Sequence, residues 1–264
     1  MTALTPVGSA SRDTAPARRY GGTPFGRILN VVRLHLGNPY TTIVLPWIIL
    51  GIILVINVVI WALVAVATHG QHSRAETTGF SYSGSAFYIA VYMMIVAVQA
   101  ISVTFPFALS YGATRRDYWL GTSLTFVLLS AMYAIGFTIL GVIERATNGW
   151  GFGGRMFTPI YFGDTWWERL LICFFGLLFF FFVGSSLAAV FVRWKATGMV
   201  VFFTVLAALL LGGITWLTLT ASWIGFGTAL AAAGPLGIAS SLLIPAAIGA
   251  VVGFFILRRA TPRG

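Results

Sequence analysis

The chain has few charged residues and one cysteine, and each of these features excludes some classes of protein. Charged residues make up 8% of its 264 positions, whereas hydrophobic residues make up 58%. A soluble domain carries about 25% charged residues, so the composition excludes an ordinary soluble protein. Cys173 is the only cysteine, so no disulfide and no zinc-binding cysteine cluster can form within one chain. We interpret Cys173 as a small buried hydrophobic residue.

The sequence also lacks the motifs of common catalytic and nucleotide-binding sites. It contains no GxxxxGK[ST] phosphate loop and no HExxH zinc motif. Its three histidines, His35, His69 and His72, fall outside the long apolar segments. The adjacent serines Ser185 and Ser186 therefore have no base beside them to activate a hydroxyl. We expect no catalytic residue, no metal ligand and no cofactor in this chain, and hence no enzymatic activity of its own.

Six apolar segments are long enough to cross a membrane as helices, for which about 20 apolar residues are needed. They are too long and too continuously apolar for the alternating strands of a membrane barrel. The predicted fold is all-α, with one transmembrane domain over residues 24–264 and a flexible cytoplasmic tail over residues 1–23. The six predicted spans cover about residues 41–67, 86–111, 119–143, 167–191, 198–219 and 236–257.

The basic residues predict which side of the membrane each loop faces. With a cytoplasmic N-terminus, the cytoplasmic loops hold twelve basic and two acidic residues, and the outer loops hold four of each. Cytoplasmic loops are enriched in lysine and arginine, so we expect both termini in the cytoplasm. The basic residues form no dense run of the kind typical of nucleic-acid binding. We therefore expect no nucleic-acid partner.

Two further segments are predicted to be helices that do not cross the membrane. Residues 24–37 place apolar side chains at helical spacing, which favours an interfacial helix, although an ordinary juxtamembrane segment is the alternative. Residues 220–234 stay small and apolar in an outer loop, which indicates short re-entrant helices between spans five and six. Thr165 and Glu168 have capping-box spacing, so span four is predicted to begin near Trp166.

The loop between spans two and three carries a second capping signal. Thr114 and Asp117 have the same spacing, so a short cytoplasmic helix is predicted to begin at Arg115. Gly112, just ahead, supplies the backbone freedom for a sharp reversal. By charge alone, the favoured interpretation is instead a tight loop with two arginines that set the topology.

Polar side chains within the predicted spans are few and uncharged. The absence of charged residues from the span cores argues against a proton-driven carrier. Hydroxyl groups at these positions commonly serve helix packing, whereas a buried amide needs partners or a wet cavity. The candidate residues of a substrate pathway are Asn57, Gln99, Ser102, Thr104, Thr204 and Thr215.

Six spans, a helix before the first span and the loop Gly-Ala-Thr-Arg-Arg-Asp-Tyr-Trp-Leu-Gly at residues 112–121 resemble the type-2 permeases of ATP-binding-cassette (ABC) exporters. The resemblance covers about residues 24–259. It implies that the loop is a coupling helix, which docks on a separate ATPase subunit. The residues implied in coupling are Gly112, Thr114, Arg115, Arg116, Asp117 and Tyr118.

The resemblance also implies a location and partners. It implies a bacterial inner-membrane permease subunit that pairs with a second permease subunit, as a homodimer or a heterodimer, among membrane lipids. ATP and magnesium would bind the partner ATPase, and a hydrophobic or amphipathic drug, peptide or lipid would be exported. The alternative is a structural or assembly membrane protein without transport activity.

Overall fold

The computed structural model describes residues 23–68 and 83–259, and these residues form helices and connecting turns without a β-strand. The predicted all-α class is confirmed within these ranges. The predicted tail, residues 1–23, lies outside them except for Thr23. Five helices are long and apolar enough to cross a membrane, which indicates a multi-pass membrane protein. These five are Tyr40–Ala67, Ser85–Ser110, Arg115–Ala146, Trp166–Leu219 and Trp223–Arg259.

The α-helices are numbered in chain order. They are α1 Pro24–His35, α2 Leu45–Ala67, α3 Tyr88–Gln99, α4 Phe105–Ser110, α5 Arg115–Ala146, α6 Trp166–Leu219, α7 Trp223–Ser241 and α8 Leu243–Arg259. Single π-helical turns occur at Tyr40–Val44, Ala100–Thr104 and Gly149–Gly153, and 3-10 turns at Ser85–Phe87 and Ile160–Phe162.

The fourth and fifth predicted spans lie in one helix, α6, which differs from the prediction of two separate segments. Its 54 residues would extend about 80 Å at 1.5 Å per residue, more than twice the thickness of the hydrocarbon core. The helical backbone breaks at Lys195, where φ is 55° and ψ is −143°. Helix α7 has a similar break at Gly234, with φ 65°, just before Pro235.

Three elements meet at one end of the molecule, which we call the basic end. Arg27 on α1 forms an ion pair with Asp117 on α5, with 2.8 Å between Nε and Oδ2. Arg115, at the start of α5, donates a hydrogen bond of 3.0 Å from Nη1 to the carbonyl oxygen of Arg258 on α8. The N-terminus of α5 is therefore held between α1 and the C-terminus of α8.

The other end of α5 is closed by the loop between α5 and α6, and we call it the capped end. Glu144 is 1% exposed, and its carboxylate organises this loop. Its two oxygens accept hydrogen bonds of 2.6 to 3.1 Å from the backbone amides of Met156, Phe157 and Thr158, the Thr158 hydroxyl and the Trp150 indole N–H. The predicted capping box of Thr165 and Glu168 is confirmed, and α6 begins at Trp166.

The buried core lies between α3, α5 and the first half of α6. Met93, Tyr133 and Phe181 are each fully buried there. By contrast, almost every side chain of residues 203–233 is exposed, including Leu209, Leu219 and other large apolar residues. That surface suits contact with lipid or with a second protein, because the described part of the chain does not cover it.

Candidate docking site at the basic end

The loop between α4 and α5 reverses the chain at Gly112. Its φ of 84° lies in the left-handed region, which glycine adopts without strain. Thr114 then caps α5, since its hydroxyl accepts a hydrogen bond of 3.1 Å from the amide of Asp117. The predicted start of a helix at Arg115 is confirmed. The helix does not end before the third predicted span, however, but continues unbroken to Ala146.

The second half of the predicted capping box at this loop does not form. The carboxylate of Asp117 was expected to reach back to the amide of Thr114, but it pairs with Arg27 instead. Asp117 is 7% exposed, so the carboxylate is removed from water and contacts α1 rather than solvent. A local signal identified the hydroxyl cap correctly, whereas the partner of the carboxylate comes from a distant helix.

The six residues implied in coupling divide into a surface group and a buried group. Gly112, Thr114 and Arg116 are exposed, and Arg115 is partly exposed. Asp117 and Tyr118 are buried, and the Tyr118 hydroxyl donates to the carbonyl oxygen of Ala100. A docked partner could contact the surface group directly, whereas the two buried residues can act only by positioning the loop.

Helix α1 is fastened to α5 along its length. Beyond the Arg27–Asp117 pair, His35 Nε2 lies 2.9 Å from the Thr122 hydroxyl oxygen. Burial lowers the pKa of His35 to about 4, so its imidazole is neutral at physiological pH. Gly121 allows the close approach of the helices, because a Cβ there would lie 2.5 Å from the Cβ of Val31. Movement of α1 and of the loop between α4 and α5 is therefore linked.

Two cavities open at the basic end. The first, of about 380 Å³, lies between α1 and the loop, and its walls are mainly apolar, with Val31, Leu34, Phe107 and Tyr111 among them. The second, of about 490 Å³, lies between the first turn of α5 and the end of α8. It is lined by Arg115, Arg116, Phe254 and Arg258. An apolar groove beside a cationic surface can bind a partner that presents apolar side chains and carboxylates.

The structure brings together two of the six candidate pathway residues. Gln99 and Thr104 line a polar cavity of about 190 Å³, together with His35, Thr42 and Thr125. The cavity lies toward the basic end, because His35, which lines it, is the last residue of α1.

The other four pathway candidates lie elsewhere. Asn57 and Ser102 bond within their own helices, to the carbonyl oxygens of Ile53 and Val98, both at 2.8 Å. This matches the role of helix-packing groups better than that of pathway groups. Thr204 and Thr215 are exposed on the second half of α6.

Sequence reasoning missed the two π-helical turns that border this polar cavity. Each comes just before a proline, Pro46 or Pro106. Because proline lacks an N–H, the carbonyl four residues earlier loses its helical partner. For Pro46 that carbonyl belongs to Thr42, and the Tyr133 hydroxyl donates to it at 2.8 Å. A proline early in an apolar helix was the available signal, because such prolines commonly accompany irregular helical turns.

Tyrosines hold both π-helical turns. The Tyr92 hydroxyl donates to the carbonyl oxygen of Thr41 at 2.7 Å in the first turn, and Tyr118 holds Ala100 in the second. Tyr118 comes directly after Arg115, Arg116 and Asp117 in α5, so it connects the candidate docking surface to the wall of the polar cavity. π-helical turns often mark functional sites in helices.

Within residues 23–68 and 83–259, no group of three or more histidine, cysteine, aspartate or glutamate side chains could hold a metal ion. Comparison of the chain with protein-family models, with characterised proteins and with solved structures gave no match.

Proposed function

We propose that this chain is the membrane-spanning permease subunit of an ATP-driven ABC exporter in the bacterial inner membrane. Its termini would lie in the cytoplasm, and a separate ATPase subunit would hold ATP and magnesium. The exported substrate would be a hydrophobic or amphipathic drug, peptide or lipid. One observation carries the proposal. The loop 112–118 projects Arg115 and Arg116 beside an apolar groove, while Asp117 ties the same loop to α1 and Tyr118 ties it to the π-helical turn Ala100–Thr104.

Such an arrangement suits the transmission of force. A partner that pulls or pushes on the surface of the loop would move α1 through the Arg27–Asp117 pair. It would also move the π-helical turn at Ala100–Thr104 through Tyr118. The π-helical turn ahead of Pro106 interrupts the regular ladder of helical hydrogen bonds, which makes it the proposed point of bending in that span. The polar cavity at Gln99 is thus a reasonable entrance to a pathway.

Six crossings remain part of the proposal, with two of them supplied by α6. Val190 packs in the same apolar cluster as Leu257, near the basic end, just before the break at Lys195. Leu230 on α7 lines a cavity with Gly84 at the capped end. These positions support one crossing before Lys195 and a return crossing after it, with the part of α7 before its break at Gly234 as the proposed re-entrant element. The interfacial placement of α1 belongs to the same proposal.

A second permease subunit would cover the exposed surface of residues 203–233. This surface carries large apolar side chains along the proposed fifth span and α7. Lipid could cover it too, but a pathway between protomers requires an unpartnered apolar face of this kind. Either a homodimer or a heterodimer would meet that need.

The decisive experiment reverses the charge of the loop. The double variant Arg115→Glu with Arg116→Glu should reduce copurification of the proposed partner ATPase by about tenfold or more, because exposed cationic contacts become repulsive. Membrane insertion should persist, since ten basic groups remain on the proposed cytoplasmic side against four outside. The matched control is Arg193→Glu with Arg259→Glu, which changes the same charge at two exposed residues outside both cavities.

The outcomes separate the proposed function from its alternative. If the loop variant inserts normally and still binds and stimulates the ATPase at the wild-type level, the two arginines serve only topology. If no ATPase copurifies with the wild-type chain, a structural or assembly role is favoured instead.

A further inference from the structure

Three arginines converge on one cavity at the basic end, and no carboxylate from residues 23–68 or 83–259 lines it with them. Arg115, Arg116 and Arg258 line it with Phe254, and its volume is about 490 Å³. The hydrogen bond from Arg115 to the carbonyl of Arg258 holds α5 and α8 together at this point. Arg115 and Arg258 are 143 positions apart in sequence, so only the tertiary structure creates the cluster.

The positive charge of this cluster is not compensated by the described residues. Asp117 is the nearest acidic residue in sequence, and its carboxylate is engaged by Arg27. Arg115 and Arg116 also occupy the first turn of α5, where the positive end of the helix dipole disfavours cations. Both costs fall if an anion binds in the cavity, so the arrangement favours an anionic ligand.

The fourth residue of the cavity indicates what kind of anion fits. Phe254 lies four residues before Arg258 on α8, and therefore on the same face of the helix, one turn deeper in the membrane-spanning segment. A ligand that fills the cavity meets an aromatic ring at one side and guanidinium groups at the other. Arginine donates to phosphate oxygens in a paired geometry, and basic pockets between membrane helices bind anionic lipid headgroups.

We propose that Arg115, Arg116 and Arg258 bind the phosphate of an anionic glycerophospholipid, whose glycerol and acyl region contacts Phe254. The lipid would occupy the seam between α5 and α8 beside the coupling loop, where it would brace the first turn of α5. The inference rests on the membrane location of the chain but not on the ATPase partner.

Arg258 offers a clean test, because its side chain can be changed without loss of the bond between the helices. Arg115 binds the main-chain carbonyl of Arg258, so Arg258→Gln keeps that hydrogen bond. Arg259→Gln removes the same charge one residue away, outside the cavity. Both positions are exposed, so neither change should impair folding.

Binding would be measured on the full-length protein in detergent by native mass spectrometry with phosphatidylglycerol, and with phosphatidylcholine for comparison. We expect Arg258→Gln to weaken phosphatidylglycerol binding about tenfold, which corresponds to about 1.4 kcal/mol, because a hydrogen bond between charged groups is lost. Arg259→Gln should weaken it less than about threefold, because only screened long-range attraction is lost.

Three results would overturn the proposal. Equal weakening by both variants would indicate diffuse attraction without a site. Inorganic phosphate that displaces phosphatidylglycerol at millimolar concentration would show that the acyl region is not held. The third contrary result is that Arg258→Gln loses ATPase copurification while its lipid binding is unchanged. That result would indicate that the cavity binds an acidic protein surface. Because ATPase docking is measured separately, failure of the lipid site would leave the proposed permease function standing.

Discussion

Replacing Glu144 with glutamine should loosen the loop at the capped end, because an amide cannot accept every hydrogen bond that the carboxylate accepts. Oε1 accepts from the backbone amide and the hydroxyl of Thr158, at 2.8 and 2.6 Å. Oε2 accepts from the amide of Met156 at 2.9 Å and from the indole of Trp150 at 3.1 Å. The amide of Phe157 lies 3.1 Å from each oxygen. Glutamine places an NH₂ group where one of these oxygens stood.

The lower-energy orientation of the glutamine amide places its nitrogen at the Oε1 position. The Thr158 hydroxyl can then turn to accept, and one backbone amide is left without an acceptor. An orphaned buried donor costs about 1–3 kcal/mol, and each remaining bond weakens by about 1 kcal/mol when its acceptor loses its charge. Removing a buried carboxylate returns part of this cost, although it also deprives the buried Arg169 of a nearby opposite charge. We expect a net destabilisation of about 3 kcal/mol.

A destabilisation of that size should lower the Tm by about 6–12 °C for a chain of this length. The measurement is thermal unfolding of purified protein in detergent, followed by tryptophan fluorescence. Asp164→Asn is the matched control, since it removes the same charge at the same end from a residue that bonds through its main chain. The assignment of Glu144 as the anchor of the loop would be refuted if Glu144→Gln melted at the wild-type temperature. It would also be refuted if Asp164→Asn lowered the Tm by as much as Glu144→Gln does.

Two further predictions concern the attachment of α1. Burial lowers the pKa of His35 to about 4 from 6.5, so between these values the unfolded chain binds more protons than the folded one. The free energy of unfolding should therefore fall by about 3 kcal/mol as the pH decreases from 6.5 to 4. His35→Asn should flatten this part of a plot of Tm against pH. Parallel plots for the variant and the wild type would contradict the prediction. Gly121→Ala should cost about 1–3 kcal/mol by forcing Val31 away. Gly51→Ala, where a Cβ meets no atom within 4 Å, should melt like wild type, and equal melting of both variants would dismiss the close packing at Gly121.

The sequence by itself determined the features that depend on local chemistry. Long apolar runs must satisfy their backbone hydrogen bonds internally in lipid, which leaves helices as the solution for segments of this length. For that reason the all-α class and the long apolar helices were predictable. The caps at Thr114 and Thr165 were predictable too, because a hydroxyl and the amide three residues later are neighbours in the chain.

Only the tertiary structure decided which distant groups meet. Asp117 pairs with Arg27, 90 positions earlier, rather than with its own helix terminus, and Arg258 joins Arg115 across 143 positions. Neither the hydropathy pattern nor the charge count distinguishes these arginines from the others, because both quantities ignore the order in which helices pack. The anchoring role of Glu144 was hidden for the same reason, since its donors come from a loop that hydropathy treats as unstructured. The sites of this protein depend on helix packing, and packing is settled by contacts between residues far apart in the chain.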